Sequence, residues 1–294
     1  MPMKTGLVLE GGAMRGMYTA GILDVFLENS ITFDGVMGVS AGAIVGCSYV
    51  SGQTGRTIRY NLKYCKDKRM MSFYSFLTTG DLVGRKFCYY DIPMELDPFD
   101  NDSFKKSSTD FYVVCTNLDT GNPEYIRLRD MNAEIDYMRA SASMPYVSHI
   151  VQLEGKKLLD GGCSDSVPVR KFMEMGYEKS VVVLTRPENY RKLPEKTAFA
   201  PIFYGKYPNF VRQLQNRAEN YNRTAEDIRQ LEQEGRIFVI RPQTALSIGR
   251  MCHDPEKIRQ AYQQSRADAA GMLPDLLRWL GKEAKTSPQH NAIL

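Results

Sequence analysis

Residues 34–47 read DGVMGVSAGAIVGC. The segment Phe33 to Val39 is strand-like, and Ala41 to Val50 is a helix-like run of small and apolar residues. Ser40 stands at the joint, with Gly38 and Gly42 completing the pattern GxSxG. A tight strand-to-helix turn strains the backbone at its central serine, so the positions two before and two after it must lack side chains that would clash. The two glycines meet that need, and the pattern predicts a nucleophile elbow. The helix that starts after Ser40 also directs its partial positive charge at the hydroxyl or at a bound anion. Taken singly, the motif reads equally well as a glycine-rich turn with an idle serine.

Working outward, Gly6–Leu9, Phe111–Cys115 and Ser180–Thr185 are short runs of β-formers without polar alternation, the pattern of strands covered on both faces. Between them lie helical segments such as Gly16–Asn29, where Tyr18, Ile22, Leu23, Phe26 and Leu27 recur every three or four residues. The resulting βαβ series predicts an α/β sheet. RIFVI at 236–240 adds a strand at a sheet edge. From Asp254 to Leu280 the apolar spacing fits a core-facing helix, interrupted at Gly271 and restarted at Pro274. With no internal repeat and no long linker, residues 1–281 read as one domain, followed by a frayed tail at 282–294.

Composition narrows the function class. The 294 residues are 43% hydrophobic and 24% charged, as in ordinary globular proteins. Their 38 Lys and Arg against 34 acidic residues leave a net charge of +4, too small to argue for nucleic acid but compatible with an anionic surface. The six cysteines form no CxxC pair and no metal-ligand spacing, so they read as buried thiols of a reducing compartment. The opening MPMKTGLVLEGG lacks a secretory apolar core, and no uninterrupted apolar run reaches the roughly 18 residues of a bilayer crossing. A cytoplasmic protein is expected, whose contact with a membrane, at its inner face, is peripheral. Two stretches are less regular: 69–99 concentrates Met, Phe and Tyr, and 186–217 holds seven basic residues.

The loop EGGAMRG at 10–16 follows the first strand and opens the first long helix. It reads either as a phosphate cradle, though without the GK[ST] of a P-loop, or as an oxyanion hole in which the Gly11, Gly12, Ala13 and Met14 amides face a reacting carbonyl. A nucleophilic serine also needs a base. The chain has three histidines, His149, His253 and His290, each better explained by capping or packing. The competing base is Asp160, which ends the strand-like KLLDGG and precedes Gly161 and Gly162. A turn-capping aspartate is the plain reading of that position.

Together, GGAMRG at 11–16, GVSAG at 38–42 and DGG at 160–162 resemble the patatin-like phospholipase family in order and separation. ASASMP at 140–145 resembles a further segment of that family, and the likeness spans about residues 5–185. It implies a three-layer α/β/α fold with a mostly parallel central sheet, and hydrolysis of esters in phospholipids or other acyl lipids. Ser40 becomes the nucleophile and Asp160 the base, with no histidine, no cofactor and no metal. Arg15, Gly16, Gly38, Gly42, Gly161 and Gly162 support the motifs. Ala13 departs from the family's third glycine and Glu10 from its frequent aspartate. A negative φ is therefore expected at Ala13, which keeps its amide as a donor. Arg15 would bind a lipid phosphate or fix the loop through a salt bridge. Stretch 69–99 would cover an acyl chain or pack the core, and 186–217 would meet anionic headgroups or form a solvated face. Three alternatives stay open: an α/β-hydrolase with a Ser40, acid and His253 triad, acyl transfer instead of hydrolysis, and a non-catalytic binding module for an acyl or phosphate ligand. Neither the exact lipid nor the oligomeric state follows from the sequence.

Overall fold

The computed structural model describes residues 3–282. The tail expected at 282–294 therefore lies, from residue 283 onward, outside the described residues, as does His290. The elements in order are β1 (Thr5–Leu9), α1 (Gly16–Glu28), β2 (Gly35–Val39), α2 (Ala41–Val50), α3 (Arg56–Tyr64), α4 (Phe73–Thr79), α5 (Asn101–Lys106), β3 (Asp110–Asn117), β4 (Pro123–Leu128) and α6 (Met131–Ser141). There follow β5 (Val151–Leu153), β6 (Lys156–Asp160), α7 (Val169–Glu174), β7 (Lys179–Val183), α8 (Ala200–Tyr204), α9 (Pro208–Gln233), β8 (Ile237–Ile240) and α10 (Pro255–Leu280).

The strands form one sheet in the order β5-β6-β3-β2-β1-β7-β8, with β4 also paired to β3. Pairing is parallel from β3 through β2, β1 and β7 to β8, and antiparallel where β3 meets β4 and β6 and where β6 meets β5. β8 is the edge strand expected of RIFVI. The sheet is thus mixed, its parallel half being the part that carries the βαβ connections.

Alternate residues of the central strands serve opposite faces. Leu7, Leu9, Val36, Phe111, Val113, Val181 and Val183 pack with Tyr18, Ile22 and Phe26 of α1, Val45 of α2 and Leu276 of α10. Val8, Met37, Val39, Val114 and Val182 pack instead with Phe172 of α7 and with Ile228 and Leu231 of α9. Both faces are covered, which is why these strands show no polar alternation.

Helix α10 corrects one expectation, since it runs unbroken through Gly271 and Pro274. A proline inside a helix forfeits one backbone hydrogen bond, but here tertiary contacts on both sides of it hold the axis. Before it, the hydroxyl of Tyr18 donates to Asp268 at 2.8 Å and that of Tyr262 to Asp24 at 2.7 Å. After it, Leu276, Leu277 and Leu280 are buried in the core. No described helix is long and apolar enough to cross a membrane.

Candidate active site

Ser40 ends β2 and caps α2, with φ 54° and ψ −122°. A non-glycine residue in that region is strained, and its neighbours show why the turn needs it. A Cβ on Gly38 would lie 2.5 Å from the backbone nitrogen of Ala43, and one on Gly42 would lie 2.4 Å from the Leu9 carbonyl oxygen. The turn is fastened from both sides. The Ser40 carbonyl accepts from the Ala43 and Ile44 amides at 3.0 and 3.2 Å, and the Ser40 amide donates to Oγ of Ser141 at 3.0 Å. Ser141 is fully buried at the end of α6.

Asp160 reaches Ser40 through β3. Residues Asp110–Val114 pair with β2, and Cys115–Asn117 pair with β6. Because β4 occupies the opposite edge over Phe111–Thr116, β6 takes up the same edge of β3 just where β2 leaves it. Val39 therefore sits across from Val114 and Asp160 across from Cys115, the next residue along. The Asp160 backbone is pinned as well: its amide donates to the Ser143 carbonyl at 2.8 Å, and its carbonyl accepts from Oγ1 of Thr116 at 2.8 Å. Its Oδ1 accepts from the Gly162 amide at 2.7 Å, the turn-capping contact read from the sequence. Burial pushes this carboxyl above its ordinary value, while Arg217, the Gly162 amide and the Ser40 hydroxyl pull the other way.

The glycine-rich loop leaves β1 beside these two residues. The Glu10 amide donates to the Val183 carbonyl at 3.1 Å, and the Glu10 carboxylate accepts from the Thr185 amide at 2.5 Å, from Thr185 Oγ1 at 3.0 Å and from the Tyr221 hydroxyl at 2.7 Å. The longer acid thus acts as a clasp between β1, the segment after β7, and α9. Among the described residues the amides of Gly11, Gly12 and Ala13 have no acceptor, whereas the Met14 amide is engaged by the Arg250 carbonyl at 3.3 Å. Met14 accordingly drops out of the set of free donors. Ala13 has φ 51°, against the expected negative value. Its fold-imposed left-handed turn aims the chain from the loop into the short helical turn Ala13–Arg15 that precedes α1.

Two cavities meet at Ser40. One, of about 360 Å³, is lined by the loop, Asp160, Arg15, Arg186, Lys192, Arg217 and Arg250. The other, of about 160 Å³, is apolar; Met14, Met17, Met70, Met71, Met131, Met138 and Met144 line it, with Tyr89, Ile92 and Phe99. Ser40, Ala13 and Met144 belong to both. Seven methionines around one cavity give a surface that adapts to a flexible apolar ligand. The 69–99 stretch therefore lines this cavity as well as packing the core, and of the cations of 186–217, Arg186, Lys192, Lys196 and Arg217 line the first cavity while Arg191, Lys206 and Arg212 stand exposed outside it.

Other expectations resolve in detail. Arg15 is buried and makes no ion pair with a carboxylate among the described residues, so it does not fix the loop by a salt bridge. His253 Nδ1 lies 2.8 Å from the Cys65 carbonyl, and His149 lies 3.2 Å from Asp81; neither lines a cavity that contains Ser40. The triad with His253 finds no geometry here. The six cysteines are free, but Cys88 and Cys252 are only half-buried. Ser141, Tyr221, Thr185 and Arg250 escape the sequence reading, although Ser141 lies inside the quoted ASASMP.

A family model described as patatin-like phospholipase matches residues 7–173, and another, described as a domain of unknown function (DUF6363), matches residues 207–281. The Escherichia coli (strain K12) protein called uncharacterized protein YjjU is 27% identical over 279 residues, which cover 90% of this chain and 76% of that one. Lysophospholipase nte1 of Aspergillus oryzae is 27% identical over 178 residues, covering 59% of this chain; the match spans only 11% of that relative's length. The crystal structure of VipD from Legionella pneumophila aligns with a TM-score of 0.45 and 13% identity, over 93% of this chain and 67% of that one.

Proposed function

This chain belongs to the patatin-like phospholipase family, and we propose that it is a serine acyl hydrolase acting on single-chain phospholipids through Ser40 and Asp160. One observation carries the reading: Ser40 stands on the wall shared by a cationic cleft and an apolar cavity. A lysophospholipid divides in the same way, with its ester between a charged head and a hydrocarbon chain. The apolar cavity at Ser40 suits one acyl chain, in keeping with the name of the lysophospholipase relative.

In the proposed cycle Asp160 takes the Ser40 proton as Oγ forms a bond to the ester carbon. The carbonyl electron pair moves onto oxygen, where the free amides of Gly11, Gly12 and Ala13 receive it. Collapse breaks the bond to the glycerol oxygen, which leaves with the proton from Asp160. Water, deprotonated by the same carboxylate, then releases the fatty acid and regenerates Ser40. This chemistry uses side chains and main-chain amides alone.

The exposed Phe73, Tyr74 and Leu77 of α4 and Phe199, Ile202 and Phe203 around α8 provide the peripheral membrane contact. Tyr146, in the loop lining the cleft, packs edge-on against Phe203 with ring centres 5.5 Å apart. Lipid leaving a bilayer would thus meet an apolar rim first. The free thiols suit a reducing compartment such as the cytoplasm.

A fluorophosphonate probe tests the assignment, because it labels only an activated serine. Wild-type protein is expected to label and to hydrolyse lysophospholipid, while Ser40→Ala and Asp160→Asn abolish both. Undiminished labelling of Asp160→Asn would remove Asp160 as the base.

A further inference from the structure

The polar cavity holds more positive charge than its own structure uses. Its lining carries six cations, Arg15, Arg186, Lys192, Lys196, Arg217 and Arg250, and three carboxylates. Each carboxylate is already committed. Glu10 is held by Thr185 and Tyr221, Asp160 by the Gly162 amide, and Glu195 by Lys192 and Arg217 at 3.1 Å each. Among the described residues Arg15, Arg186 and Arg250 have no carboxylate partner.

Arg15 is the informative member. It is only 6% exposed, and its Nε has no hydrogen-bond acceptor; the Nε of Arg186 is orphaned in the same way. Burial, and then the facing Arg186, lower its pKa to about 10, Glu10 opposing and Arg250 adding to the effect. Arg186 is propped in place by the Tyr190 ring, 4.3 Å from its guanidinium carbon. Buried cations are costly unless paired. Three guanidiniums gathered against their mutual repulsion are a receptor for a multiply charged anion, since each presents several donors in a planar fork.

We propose that Arg15, Arg186 and Arg250 form a subsite for a phosphate monoester, and that the preferred substrates are single-chain acyl esters ending in a free phosphate. This inference rests on the acyl hydrolase reading and specifies its substrate. A terminal phosphate carries close to two negative charges at neutral pH and three acceptor oxygens. A phosphodiester with a choline head carries one negative charge and presents a cation to a cavity that is already cationic. The lysophosphatidic acid type is thereby favoured over the lysophosphatidylcholine type. Arg186 and Arg250 come from beyond the motif-bearing strands, so the C-terminal part of the chain sets the headgroup.

The experiment compares kcat/KM for 1-oleoyl lysophosphatidic acid, 1-oleoyl lysophosphatidylcholine and monooleoylglycerol in neutral detergent micelles at fixed mole fraction. Wild type is expected to favour the phosphate monoester by about tenfold or more, one charge-assisted contact being worth roughly that factor. Arg186→Gln and Arg250→Gln are expected to shrink the ratio towards one, and Arg250→Glu, at an exposed position, to invert it. Equal rates on the two phospholipids would overturn the subsite while leaving the hydrolase standing. Absence of hydrolysis on all three, together with absence of fluorophosphonate labelling, would overturn both. Inorganic phosphate serves as a further probe: competition with lysophosphatidic acid supports the subsite. Phosphate binding without a preference for that lipid would assign the cluster to free phosphate and overturn the headgroup role.

Discussion

Replacing Ser141 by alanine isolates the contact that holds the elbow. The Ser141 hydroxyl is fully buried and accepts the Ser40 amide at 3.0 Å. Its loss leaves that amide without a partner, at a cost of about 1–3 kcal/mol. For a chain of this size each kcal/mol moves the melting temperature by about 2–4 °C, so Tm is expected to fall by about 2–12 °C. The rate effect is separate. Ser40 sits at φ 54°, a strained conformation that persists only while its surroundings over-determine it. With the anchor gone the turn relaxes, and a displacement of about 1 Å in a reacting group costs on the order of 10²-fold. Calorimetry gives the first quantity and the second-order rate of fluorophosphonate labelling the second. A variant with wild-type Tm and wild-type labelling would refute the anchoring role. One that loses stability but labels normally would reduce Ser141 to packing.

Three other outcomes follow from the same geometry. Burial raises the folded-state pKa of Asp160, so this carboxyl keeps its proton above the roughly pH 4 of an exposed aspartate, and the acid limb of kcat/KM is expected to be displaced upward. A raised pKa stabilises the fold most below the unfolded value, and that contribution is lost as pH rises through the folded one; Asp160→Asn should therefore gain on wild type at pH 7 and not at pH 3 in denaturant titrations. Ile44 lies one helical turn beyond Ser40 and lines the apolar cavity, so Ile44→Phe is expected to shorten the acyl preference in a p-nitrophenyl ester series, each excluded methylene costing about 0.8 kcal/mol, roughly fourfold. Leu77→Asp and Phe203→Asp, both at exposed positions, should weaken co-sedimentation with vesicles; unchanged binding would move the membrane contact elsewhere.

What the sequence discloses is what local sterics write into it. Gly38 and Gly42 are visible because a backbone crossing within 2.5 Å of a Cβ leaves no other residue type, and the central strands because burial on both faces removes polar alternation. The Asp160 position is readable as a strand end before two glycines. Its adjacency to Ser40 is not, since that depends on β6 running antiparallel to β3, a long-range pairing with no local signature. The same holds for Ser141, which differs in no visible way from Ser143 two residues on; α6 alone decides which hydroxyl meets the elbow. Arg186 and Arg250 lie among other surface-like basic residues, and only the folded chain brings them to the same cavity as Arg15. Pro274 misleads for the complementary reason: its local preference is real, but packing of α10 on α1 outweighs it.

The handover at β3 has a mechanical consequence. Because β2 and β6 abut end to end along one rail, the distance between Ser40 and Asp160 is metered by main-chain ladders rather than by the long excursion of chain that separates them. That excursion, with its helices and cavity-lining methionines, is free to be remodelled without changing how the two residues meet. A slip of β6 by a single rung would be another matter: strand side chains alternate, so Leu159 would turn towards the serine and the carboxylate would swing to the far face.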